Sequence, residues 1–299
     1  MALLFGKNTS KAYLYASLTV LFWSTVATAF KIALREMSNV QMLLVANTTS
    51  LFVFLVVLIV NRKTADLRKT DVAGLCLSSL QGLLNPFAYY LILFKAYSIL
   101  PAQVAQPANF VWPIVLMALS ALLLKQPLRT KGVLALFISF IGILILSSQG
   151  DLRSFVVAEP LGVGLALLSS LVWALFWVLN LKDKRDNMSK LFFGSLFSTI
   201  YVLLLSYATG DVYDIFSKPI IPAIYIGFFE MGITYIVWLR ALQLAESTGN
   251  ISNFIYLTPF VSLIFIRFVL HEKLYYTSVI GLCFIVGGIL VGQLKRSPE

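Results

Sequence analysis

Charge is what this sequence has least of. Only 12% of its 299 residues are Asp, Glu, Lys or Arg, while 59% are hydrophobic. A soluble domain carries about 25% charged residues, so too little polar material remains here to build a water-facing surface. Cysteine and histidine are also scarce. Cys76 and Cys283 both lie in apolar runs, which excludes a disulfide framework or a cysteine metal motif. The single His271 cannot supply a cluster for zinc or haem. No Gly-rich loop ending in Lys-Ser/Thr is present, so a built-in ATPase is excluded. One histidine and one mid-span acid also fall short of the nucleophile–base pair, carboxylate pair or metal cluster that an enzyme needs. The sequence therefore calls for no enzyme, no cofactor and no metal.

What is there instead is a succession of long apolar runs. A bilayer core about 30 Å thick needs roughly 20 apolar residues per helix. Ten such spans are expected near Tyr13–Leu34, Gln41–Val60, Val72–Leu93, Ala102–Leu124, Gly132–Ser148, Gly162–Leu181, Leu191–Ala208, Ile221–Leu242, Asn250–Val269 and Ser278–Gln293. Lys7, Lys11 and the small-residue run Ala27-Thr28-Ala29 give the first span some look of a signal peptide. Its length and the nine similar runs behind it favour an uncleaved first helix. The net charge of +10 does not point to nucleic acid, because the basic residues are spread over short interhelical segments and form no single stripe. With both termini on the cytoplasmic side, 16 of the 23 Lys and Arg fall in cytoplasmic segments, as the positive-inside rule requires.

The two halves also repeat. Trp23 pairs with Trp173, Lys31 with Lys182, Phe94-Lys95-Ala96 with Leu239-Arg240-Ala241, Pro113 with Pro259, and Gly142 with Gly288, all at offsets of 145 to 151 residues. Leu124-Lys125-Gln126-Pro127-Leu128 likewise pairs with Leu270-His271-Glu272-Lys273-Leu274. Five spans per half is an odd number, so the second half lies inverted. Residues 1–149 are expected to form one five-helix repeat and 160–295 a second, inverted one. The fold class is thus an all-α membrane protein with two inverted five-helix repeats around a central cavity. Inverted repeats are an architecture of secondary transporters.

These residues carry a resemblance. Phe22-Trp23-Ser24-Thr25 with Lys31, Pro113, Pro259, Leu270-His271-Glu272-Lys273-Leu274, Gly281 and Gly287-Gly288 resemble the EamA-type branch of the drug/metabolite transporter superfamily over almost the whole chain. Within it, Trp23-Ser24-Thr25 and Asn109-Phe110-Val111-Trp112-Pro113 are similar to bacterial aromatic-amino-acid exporters. The resemblance implies outward movement of an amino acid or another small amphipathic metabolite across a bacterial cytoplasmic membrane, with a drug-like organic cation as the alternative cargo. The implied partners are that small molecule, the lipid bilayer and protons. A channel is disfavoured, because it needs a continuous polar pore or charged rings, whereas the polar faces here are short and central.

Glu230 is the sharpest single feature. It lies about nine residues into the expected eighth span, roughly 14 Å deep at 1.5 Å per residue. An acid there must face a cavity, find a partner or stay protonated. The functional reading is proton coupling or a counter-ion for a substrate ammonium; the bland one is an acid bonded to a neighbouring helix. Its repeat mate is Asn85, beside Pro86. By i, i+4 spacing, Gln81, Asn85 and Tyr89 are expected on one face of the third span and Glu230, Thr234 and Trp238 on one face of the eighth. The fourth span adds Gln103, Gln106, Asn109 and Trp112; the ninth adds Asn250, Ser252, Asn253 and Tyr256. Pro113 and Pro259 are candidate helix breaks that free backbone carbonyls. Trp23, with Trp173 and Trp177, offers aromatic surface suited to cations. Interhelical hydrogen bonding is the competing account of the amides. Gly288 and Gly292 form a small-xxx-small face that serves helix packing or, in a homodimer as opposed to a monomer, self-association.

Overall fold

The computed structural model describes residues 7–123, 130–151, 159–245, 251 and 253–293. Expectations that fall on Leu124–Leu128, Arg129, Arg153, Asn250, Ser252, Lys295 and Arg296 lie outside the described residues. Among those described there are helices and turns and no strand. Six helical stretches are long and apolar enough to cross a membrane: Ser10–Ala33, Asn39–Val60, Pro160–Asn180 and Asn187–Thr209, with Ala102–Leu119 and Ile221–Leu244, which are jointed within. Gly132–Ser147, Phe254–Val269 and Tyr276–Gly292 are apolar but shorter. This is an integral membrane protein built of helices.

The chain packs as two compact units, Met1–Phe87 with Arg185–His271, and Ala88–Lys184 with Glu272–Glu299. In the first, α1 (Lys7–Ala33) and α2 (Asn39–Val60) precede a short α3 (Thr64–Leu67) and α4 (Val72–Gly82). After Arg185 the same unit continues with α10 (Asn187–Thr209), α11 (Ile221–Tyr225), α12 (Ile233–Leu244) and α13 (Thr258–Val269). The other unit holds α5 (Tyr89–Ile99), α6 (Ala102–Asn109), α7 (Trp112–Leu123), α8 (Thr130–Ser147), α9 (Pro160–Lys182) and α14 (Tyr276–Gln293).

Local chemistry fixes where these helices begin and end. Ser38 and Gln41 form a capping box at the start of α2, and Asp71 and Asp186 cap α4 and α10 through their side chains. Each satisfies backbone donors that a helix start leaves unpaired. Gly210 closes α10 in the left-handed conformation, at φ 82°, which glycine adopts without steric cost.

Packing in the first unit sets α1 against α12 and α13, and α2 against α10. Side-chain hydrogen bonds lace the α2–α10 pair: Asn47 Nδ2 donates to Ser198 Oγ at 2.6 Å, and Ser50 pairs with Ser195 at 3.0 Å. In the second unit α9 packs on α5, α6 and α7, while α8 runs along α14. That last pair meets backbone to backbone. A Cβ on Gly142 would lie 2.7 Å from the Gly281 carbonyl oxygen, and one on Gly281 2.6 Å from that of Gly142. Small residues permit such an approach between membrane helices. Gly288 and Gly292 face the same partner, against Ser139 and Ala135, so this small-residue stripe is used inside the chain and does not offer a surface for self-association.

Two expected spans are not continuous helices. The third is interrupted at Asn85, which sits at φ −146°, ψ 122° inside a π-type turn, Leu83–Ala88. The residue before a proline is driven from helical to extended backbone by the proline ring, and Pro86 follows directly. The eighth is interrupted after the π-type turn Ile226–Glu230, where Gly232 adopts φ −110°, ψ −100° before α12. The fourth and ninth spans are jointed too. Phe110 and Val111 separate α6 from α7, and a 3-10 turn, Phe254–Leu257, precedes α13.

Candidate functional site

Four consecutive residues of α1 reach the interrupted elements of the first unit. The rings of Phe22 and Phe229 lie 4.9 Å apart. Trp23 Nε1 donates to the backbone oxygen of Glu230 across a long 3.4 Å. Ser24 Oγ lies 3.0 Å from the Thr258 carbonyl oxygen, and Thr25 Oγ1 pairs with the Tyr225 hydroxyl at 2.6 Å. A helix break leaves carbonyls without their i+4 donor, and the Trp23 indole supplies a replacement at Glu230. The aromatic surroundings continue with Tyr235 and Trp238, centred 5.8 and 6.2 Å from the Trp23 ring.

Glu230 closes the π-type turn and is half-buried. It does not share one helical ladder with Thr234, because Gly232 breaks the backbone between them; Thr234 and Trp238 do share α12. Asn85 likewise ends the ladder that was to carry Gln81, Asn85 and Tyr89 together, so Gln81 belongs to α4 and Tyr89 to α5. Proline-adjacent and glycine backbone overrides the i, i+4 pattern in both cases. Gln81, Asn85 and Thr234 are buried, at 2%, 8% and 0% exposure, and Gln81 Nε2, Asn85 Oδ1 and Thr234 Oγ1 make no hydrogen bond. Polar atoms at such burial normally find partners. Tyr256 is buried, and Asn253 is exposed at the foot of the 3-10 turn. Pro259 is the second residue of α13, where a missing N–H costs nothing.

The second unit holds its own polar and aromatic cluster. The Tyr89 hydroxyl donates to Asn109 Oδ1 at 3.0 Å, and Asn109 Nδ2 donates to Ser169 Oγ at 2.8 Å. Trp173 lies among this group, with ring centres 4.7 Å from Tyr89, 6.2 Å from Trp112 and 6.1 Å from Trp177. Trp177 is half-buried, and its Nε1 makes no hydrogen bond. Pro113 is the second residue of α7, just past the joint at Phe110 and Val111. Gln103, by contrast, is committed to structure. Its side chain accepts from Tyr275 N at 2.8 Å and Ser278 Oγ at 3.0 Å, and donates to the Lys273 carbonyl at 2.9 Å.

Tyr225, Tyr235 and Ser169 belong to these clusters although spacing alone did not select them, whereas Trp173 was expected as aromatic surface. Ser169 lies one helical turn before Trp173 on α9, which was a readable signal. Tyr225 and Tyr235 gave none, since their partners come from α1. Among the described residues, no group of His, Cys, Asp or Glu is arranged to hold a metal ion.

A model of the EamA-like transporter family matches residues 10–148 and again residues 160–292. The chain belongs to the EamA-like transporter family. Similar proteins agree. An uncharacterized transporter of Archaeoglobus fulgidus is 24% identical over 296 residues, covering 96% of this chain and 99% of its own. The uncharacterized transporter YyaM of Bacillus subtilis is 26% identical over 262 residues, covering 83% and 82%. Protein PecM of Dickeya dadantii is 26% identical over 217 residues, covering 71% of each chain. A solved crystal structure superposes with a TM-score of 0.64 at 17% identity, covering 95% of this chain and 96% of that one, which speaks for a shared fold. This EamA-family protein is therefore a membrane transporter rather than an enzyme, with a small molecule as substrate and lipid as its surroundings.

Proposed function

We propose that the protein is a secondary transporter that moves an amino acid or a related small amphipathic metabolite outward by alternating access. In this reading the ten expected spans form two inverted repeats, with both termini cytoplasmic. Glu230 serves as the counter-ion for a substrate ammonium or as the proton-coupling group.

The observation that carries the reading is the setting of Glu230. An acid at a helix break, within a span, is costly unless it faces a cavity, finds a partner or stays protonated. Such a residue is by default a functional-site candidate. Its backbone is held by the Trp23 indole, and the rings of Phe22, Phe229, Tyr225, Trp23, Tyr235 and Trp238 line the neighbourhood. Aromatic faces next to an acid suit an organic cation or a zwitterion with an apolar side chain. The unpartnered atoms of Gln81, Asn85, Thr234 and Trp177 are hydrogen-bonding capacity that a polar substrate can use. Of the remaining candidates, Asn109, Trp112 and Tyr89 are proposed to contact the substrate through the cluster around Trp173, and Asn253 and Tyr256 from the segment before α13.

Counterflow in proteoliposomes loaded with a panel of unlabelled amino acids, with and without a pH gradient, tests this. Accelerated uptake of a labelled amino acid is expected, with a pH effect that Glu230→Gln abolishes while the protein still folds. Counterflow by organic cations alone would reassign the cargo. Unchanged transport by Glu230→Gln would remove that residue from the mechanism.

A further inference from the structure

Hydroxyl side chains inside a membrane helix usually satisfy themselves on the carbonyl one turn back, and several here do so. Thr19 bonds Tyr15 O at 2.9 Å, Thr48 bonds Leu44 O at 2.8 Å, and Thr49 bonds Val45 O at 2.8 Å. Three hydroxyls between α1 and α13 do not. Thr28 Oγ1, Thr258 Oγ1 and Ser262 Oγ have no hydrogen-bond partner, although the residues are only 5%, 3% and 0% exposed.

Their positions bring them to one seam. The buried face of α13 is Thr258, Pro259, Ser262, Leu263 and Ile266, and α13 packs along α1. The seam is pinned where Ser24 Oγ meets the Thr258 carbonyl at 3.0 Å. The two helices run in the same sense, since Tyr13, earlier on α1, meets Phe254 in the 3-10 turn that leads into α13. One turn beyond the pin, Thr28 follows Ser24 on α1 and Ser262 follows Thr258 on α13. Ser24, itself 0% exposed, keeps acceptor capacity after its bond to Val20 O at 2.6 Å.

From this we infer that the seam between α1 and α13 is a built hydration site, holding water that bridges Thr28 and Thr258 to Ser262. The chemistry selects water over a cation. Each orphaned hydroxyl has a proton as well as lone pairs to satisfy, and water answers both. A monovalent ion would use only the lone pairs and would bring a charge that Ser24, Thr28, Thr258 and Ser262 do not balance. Buried water of this kind takes two to four bonds from groups that otherwise have none. The functional consequence is mechanical. A hydrated seam lets the hydroxyls exchange partners, so α13 can shift along α1 without passing through a dry, unbonded state. The inference does not depend on the role given to Glu230.

Thr28→Val and Ser262→Ala in the full-length protein separate a wet seam from a dry one by sign. If water bridges the hydroxyls, removing either breaks its bonds and lowers the Tm, by about 2–4 °C for a variant of this size class. If the seam is dry, deleting an unsatisfied hydroxyl relieves a burial penalty, and a Tm unchanged or raised would overturn the inference. Radiolytic hydroxyl-radical labelling of the unaltered protein provides a second readout, since bound water is the local radical source. Ile266, 0% exposed, is expected to oxidise well above Leu282, which is equally buried at 0%. Oxidation no greater than that of Leu282 would likewise sink the site.

Discussion

Trp23 shows how one side chain divides its labour. Its indole N–H is spent on the Glu230 carbonyl, while its ring packs edge-on against Tyr235 at 82°. The hydrogen bond is long, and interhelical bonds in membrane proteins average only about 0.6 kcal/mol. Edge-on aromatic pairs add about 0.5–1.5 kcal/mol beyond their buried area. Packing should therefore outweigh the hydrogen bond. Trp23→Phe is expected to cost about 0.5–1 kcal/mol, and Trp23→Ala about 3 kcal/mol, the low end for a Trp truncation because the ring is half-exposed. Unfolding in detergent measures both. Equal losses in the two variants would show that the N–H, and not the ring, secures the break at Glu230.

At the scale of elements, glycines separate contact from mere composition along α14. Gly281 and Gly287 look alike in sequence, yet a Cβ on Gly281 meets the Gly142 carbonyl at 2.6 Å and one on Gly287 meets nothing within 4 Å. Gly287→Ala should be neutral or stabilising by up to about 1 kcal/mol, the helix-propensity gain. Gly281→Ala should destabilise by about 1–2 kcal/mol, because overpacking at about 1–3 kcal/mol outweighs that gain. Thermal unfolding of the pair decides it, and a stabilised Gly281→Ala would disprove the close approach of α8 and α14. Elements were also where the sequence was most legible and most misleading. Apolar runs placed the helices well, because lipid leaves the backbone little choice but to bond within the segment. The break at Asn85 was readable from Pro86. That at Gly232 was not, since a lone glycine is tolerated inside helices, and its conformation here is set by packing. A Cβ on Gly227, five residues earlier, would collide with the Ala46 carbonyl of α2, so tertiary approach shapes this turn. The aromatic neighbours of the candidate site were hidden for the same reason: their partners lie some 200 residues away, beyond the reach of any local pattern.

For the whole molecule, charge placement makes the strongest commitment. The compact units each draw on both halves of the chain, so connectivity across the membrane cannot be inferred from sequence proximity. The basic residues can settle it. The segment after α2 carries Arg62, Lys63, Arg68 and Lys69, whereas the α10–α11 segment carries Asp211, Asp214 and the single Lys218. Lys and Arg in short loops are retained on the cytoplasmic side, so these two segments should lie on opposite faces. Cys76 and Cys283 are exposed and are first replaced by Ser. Single cysteines are then introduced as Asp66→Cys and Tyr213→Cys, the latter at a residue 81% exposed. In intact cells a membrane-impermeant maleimide should label position 213 and spare 66; in inverted vesicles the pattern should reverse. Labelling of both from the same side would mean an even number of crossings between them, which breaks the five-plus-five arrangement and with it the inverted repeat. Labelling of 66 alone in intact cells would keep the repeat but turn the molecule over, placing the termini outside and reversing the direction in which export would run.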